Sequence, residues 1–76
     1  MADNSLTLQD FYLKLSERVT NYNANLMLRS ALISSGVTAE RDAQLPKEDA
    51  QAICLAMIKK GGPAFQVGKD LYQLVQ

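Results

Sequence analysis

Four runs of apolar residues recur at helical spacing along the chain, each fenced by residues that start or stop helices. The first opens at Thr7, whose hydroxyl stands three residues before Asp10 and can accept from the Asp10 amide. Leu6 and Phe11 occupy the two positions of a hydrophobic staple around that cap. From there Leu8, Phe11, Tyr12, Leu15, Val19 and Tyr22 form one stripe, and Leu13 alone points away from it. Asp10 and Lys14, four residues apart, make a favourable surface pair.

The stretch at residues 21–25, NYNAN, is rich in a residue whose side chain competes for nearby backbone groups and so prefers turns and caps. The first helix is open to interruption there, and spacing alone does not decide whether it runs through. In an unbroken helix Leu26 and Ile33 continue the first stripe, while Ala24, Met27, Leu28, Ala31 and Leu32 lie on the opposite side. A helix apolar on two faces is sandwiched between other elements, within its own fold or across an interface. Continuity with the first stripe assigns Leu26 and Ile33 to the core. Leu28 and Leu32 are then the partner-binding pair, with Met27 and Leu13 as further contacts. Gly36 ends this second helix, and Val37 is placed for the apolar contact that accompanies a glycine C-cap.

Residues 38–45, TAERDAQL, carry the most charge and the least periodicity of the interior, and read as a loop. Pro46 suits a first helical position, Glu48 and Asp49 complement the helix dipole, and Ala50, Ile53, Cys54, Met57 and Ile58 form a third stripe. Lys59 and Lys60 fill its last turn before Gly61 stops it. A fourth helix follows from Pro63, with Ala64, Val67, Leu71, Leu74 and Val75 on one face and Phe65 and Tyr72 flanking it. No strand pattern appears. The expected fold is all-α, a small irregular bundle of three to four short helices, with residues 1–76 as one domain and residues 1–5 as a disordered N-terminus.

Composition narrows the function. With 76 residues, 47% of them hydrophobic, the chain can build one small core but is only marginally stable by itself. Eight basic residues balance eight acidic ones, so no global field draws in nucleic acid or an anionic membrane. A single cysteine and no histidine exclude an intrachain disulfide and leave almost no nitrogen or sulfur ligands for zinc. No metal or cofactor is expected. The N-terminus lacks a basic segment followed by an apolar run, and the apolar runs are far below the roughly 20 residues needed to span a bilayer. The expectation is a cytoplasmic protein without a membrane partner.

Residues 61–70, GGPAFQVGKD, superficially echo a phosphate loop. The spacing fails, however: the first glycine of G-x-x-x-x-G-K-[ST] would have to stand at Pro63, and Asp70 replaces the magnesium-binding hydroxyl. Gly61 is better read as a C-cap, Gly62 as a loose corner, Pro63 as the opening of a helix and Gly68 as a close-packing position. Lys59, Lys60 and Lys69 remain as candidates for anion or nucleic-acid contact near that corner.

Cys54 lies on an apolar stripe with no histidine to activate it, and no carboxylate pair sits in a pocket fit for acid and base chemistry. An enzyme is not expected. The expected function is protein–protein interaction, as a regulator, adaptor, inhibitor or assembly chaperone, with another protein or a second copy of the chain as partner. The alternative is a helix-turn-helix DNA binder using the helices at residues 46–60 and 63–75, although only Gln66, Lys69 and Gln73 would read bases and the neutral charge does not attract phosphates.

Overall fold

A computed structural model describes residues 6–75, so the expectation for residues 1–5 lies outside the described residues. Four helices follow one another: α1 (Leu8–Ser16), α2 (Asn21–Ser35), α3 (Lys47–Lys60) and α4 (Pro63–Leu74). The fold is all-helical, and its only strand-like feature among the described residues is a single bridge between Thr7 and Gln44. α1 packs on α2 and α4, and α3 packs on the same two helices, so the four close into a ring around one shared core. Phe11, Leu15, Ile53, Met57, Val67 and Leu71 fill its centre.

The caps explain where the helices begin and end. Thr7 N-caps α1 with a full capping box: its hydroxyl accepts from the Asp10 amide at 3.2 Å, and its own amide donates to Asp10 Oδ2 at 2.9 Å. The Asp10 carboxylate thus serves the cap. Leu6 and Phe11 are both buried, as a staple requires.

The first helix stops at Ser16, earlier than the asparagine-rich stretch. Residues 17–20 form the link, and Thr20 caps α2 by accepting from the Asn23 amide at 3.2 Å. NYNAN is therefore the first turn of α2, and α1 and α2 are separate helices. This break resets the rotation between them, and the assignment of faces on α2 turns on it.

Gly36 closes α2 in the left-handed region, φ 76°, and its amide donates to Leu32 O at 2.9 Å. The segment at residues 37–46 then crosses back over α1. Leu45 N–H donates to Leu6 O at 2.8 Å and Gln9 N–H to Arg41 O at 3.0 Å, and Leu45 drops into the core. Pro46 is the N-cap of α3 and not its first helical residue, a shift of one position.

Gly61 ends α3 with its amide donating to Met57 O, and Pro63 opens α4. Gly61 and Gly62 both have positive φ, 80° and 62°, which glycine adopts freely and which makes the sharp corner between α3 and α4. On α4, Ala64, Val67 and Leu71 are buried, whereas Leu74 is exposed and Val75 beyond the helix end is buried in its place. Gln51 Nε2 donates to Val75 O at 2.7 Å and ties that end to α3.

Candidate interaction surface

The second helix turns its faces the other way from the one expected. Ala24, Leu28 and Ala31 are its buried residues, and Leu28 is only 4% exposed. Leu32 and Met27 are partly buried and pack against the core from either side. Leu26 and Ile33, assigned to the core on continuity with α1, are 45% and 75% exposed. The continuity argument failed because the link at residues 17–20 separates the two helices, so the stripe of α1 does not fix the phase of α2.

The outer face of α2 now carries an apolar stripe. Tyr22, Leu26, Arg29 and Ile33 are spaced by four, three and four residues, which sets them on one side of the helix. Tyr22 is 73% exposed, although the sequence pattern joined it to the buried stripe of α1.

Beside this stripe runs a groove of about 500 Å³ between α2 and the returning segment, lined by Tyr22, Leu26, Arg29, Leu32, Ala39 and Arg41 among others. It continues past Arg29 and Ile33 to Val37 and Thr38. Arg41 holds the far wall. Its guanidinium donates to Gln9 Oε1 at 3.3 Å and to Asn25 Oδ1 at 3.0 Å, and lies 4.8 Å from the centre of the Tyr12 ring. It thereby fastens the segment to α1 and α2 at once. Sequence reasoning missed this residue; an arginine in a charged loop carries no local signal of such a role.

Leu13 is half exposed and lies elsewhere, in a groove between α1 and α4 with Leu71 and Leu74. The four residues expected to form one partner surface, Leu13, Met27, Leu28 and Leu32, are therefore not brought together. Leu28 belongs to the core.

The three lysines are divided as well. Lys59 and Lys60 are exposed at the end of a groove between α2 and α3, floored by Ala31, Ala52 and Ala56, where Lys60 Nζ donates to Ser30 Oγ at 3.5 Å. Lys69 is exposed on α4 and does not line that groove. On α4, Gln66, Asp70 and Gln73 share a side by helical spacing, and Gln66 Nε2 donates to Asp70 Oδ1 at 2.9 Å. A helix reading DNA with this side would present a carboxylate toward the phosphates.

Cys54 is fully buried on α3, and burial pushes its thiol up to about 12, which keeps it protonated and unreactive near neutral pH. Among the described residues no polar or charged residue is buried, and no group of three or more Asp, Glu, Cys or His side chains converges on a point where a metal could sit. No described helix is long and apolar enough to cross a membrane.

Comparison with family models, with curated proteins and with solved structures finds no match for this chain.

Proposed function

We propose that this protein is a small non-catalytic protein–protein interaction module, acting as a regulator, adaptor, inhibitor or assembly chaperone, and that it docks through the outer face of α2. One observation carries the reading: Tyr22, Leu26 and Ile33 stand exposed in a single stripe along a helix whose opposite face already completes the core. In the isolated chain Tyr22 and Ile33 leave about three-quarters of their surface in water and Leu26 nearly half, so much of their apolar area goes unused in folding. A partner that covers them takes this remaining apolar surface out of water, at about 25 cal/mol per Å². An exposed line of large apolar side chains broken by one arginine and bordered by a groove suits a docking site, whereas single exposed leucines need no such account.

The test is affinity capture from the native host with wild-type protein beside Ile33→Glu and Leu26→Ser variants, each checked for helicity by circular dichroism. The expected result is an unchanged fold and loss of the proteins that the wild type retains. Retention of the same proteins by all three would overturn the reading.

A further inference from the structure

We infer that the segment docking on α2 is an acidic amphipathic helix of another protein, its carboxylates meeting Arg29 and Arg41, and not a second copy of this chain. The inference rests on the docking face proposed above and adds the chemistry of what fills it.

Charge is the first argument. α2 contains one charged residue, Arg29, and it stands in the middle of the exposed stripe between Leu26 and Ile33. The groove beside the stripe is lined by one further charged residue, Arg41, and by no acidic side chain along either of its two sections. Glu40 and Asp42 flank Arg41 along the chain but do not line the groove. An apolar channel with two arginines at its border suits leucine-like anchors followed by carboxylates, which guanidinium groups receive in paired hydrogen bonds.

Arg41 is also held in place before any partner arrives. Gln9, Asn25 and the Tyr12 ring fix the guanidinium, and the two hydrogen bonds use two of its five N–H groups. Little side-chain freedom remains to be lost when a carboxylate binds there, which favours binding.

Symmetry argues against self-association. An antiparallel pair of α2 helices that covers Tyr22, Leu26 and Ile33 has its two-fold axis near the middle of the stripe. The two Arg29 side chains then lie within about one helical turn of each other, roughly 5.4 Å along the axis. A parallel pair sets them face to face. Either arrangement brings like charges together in a partly dry interface, and an acidic partner helix replaces that repulsion with attraction. Laying an apolar helix face into such a groove is a common recognition mode, with anchors spaced by three and four residues.

Three synthetic helical peptides test this, sharing one leucine face and differing only in whether Glu, Gln or Lys flanks it. Each is titrated into the isotopically labelled full chain while backbone amide shifts are followed, and sedimentation records the oligomeric state. The Glu peptide is expected to bind about tenfold more tightly than the Lys peptide, with shifts centred on Leu26, Arg29, Ile33 and Ala39. Arg29→Glu, an exposed position whose change leaves the core untouched, is expected to abolish that preference, because the new carboxylate offsets the retained Arg41, without altering the melting curve.

Equal binding of the Glu and Lys peptides on the α2 face overturns the charge inference and leaves the docking face standing. Shifts centred on another groove, no saturable binding of any peptide, or a wild-type dimer dispersed by Ile33→Glu overturn the inference too. Failure of the docking face itself reads out separately, as capture that Ile33→Glu does not change.

Discussion

Gly68 on α4 lies against the backbone carbonyl of Cys54 on α3, so closely that a Cβ at Gly68 would stand 2.8 Å from Cys54 O and 3.0 Å from Met57 Cβ. The glycine is what lets the two helices approach. A carbonyl in a helix cannot swing aside, so the cost of any side chain there falls on the α3–α4 spacing. Gly68→Ala is expected to destabilise the protein by about 1–3 kcal/mol, the range for overfilling a packed site, although alanine is the better helix former. Thermal melts of wild type and variant measure it, and a variant of equal or higher stability would show that the helices part without strain.

The reversed faces of α2 give a paired prediction. Leu28→Ala should cost about 2–5 kcal/mol, since Leu28 is buried against the core. Ile33→Ala should stay within about 0.5 kcal/mol, as exposed positions do. Urea unfolding of both variants under one set of conditions decides the matter, and a larger loss from Ile33 than from Leu28 would restore the opposite orientation of the helix.

The cap of α1 is a second stability element read on local grounds. Thr7→Ala removes the hydroxyl that accepts from the Asp10 amide and should cost about 1 kcal/mol. Asp10→Asn keeps an acceptor for the Thr7 amide but removes the negative charge from the first turn, and a smaller loss is expected. Amide exchange at Asp10 and Phe11 should quicken in both variants.

Cys54 predicts a dependence on alkaline pH. Burial raises its folded value from the ordinary 9.0 to about 12, so the unfolded chain gives up the thiol proton first as pH climbs. The folded state then holds more protons than the unfolded state, and stability falls with rising pH by at most about 1.4 kcal/mol per unit. The contribution is complete below about pH 9 and fades above it. Stability measured from pH 8 upward should therefore decline more steeply in wild type than in Cys54→Ala, and a thiol reagent should modify Cys54 only as fast as the protein unfolds.

Much of the framework was legible along the chain because its causes are local. A hydroxyl three residues before an acid caps a helix by reach alone, which is why Thr7 and Asp10 could be paired in advance. Gly61, Gly62 and Pro63 mark a corner because of their own backbone freedoms and restrictions. Ala50, Ile53, Cys54 and Met57 share a face by the pitch of the helix and are buried, while Ile58, expected in the same stripe, is only partly buried. The all-helical fold, the stripe of α3 and the role of Gly68 as a close-packing position follow from such short-range rules.

Other features depended on how distant segments meet. Which apolar face of α2 turns inward was decided by the break at residues 17–20 and by the ring of α1, α3 and α4, neither of which leaves a mark in the helical periodicity of α2 itself. A two-sided pattern shows that two surfaces exist, but burial of one depends on which neighbour arrives there. Leu45 enters the core only because its amide bonds back to Leu6, and Arg41 becomes a clamp only because Gln9, Tyr12 and Asn25 converge on it from two other helices. Periodicity and caps act within a turn or two of the chain, so the sequence by itself determined the helices and their corners. The exposed stripe of Tyr22, Leu26 and Ile33 was settled by packing between residues far apart in sequence, which only the tertiary structure contains.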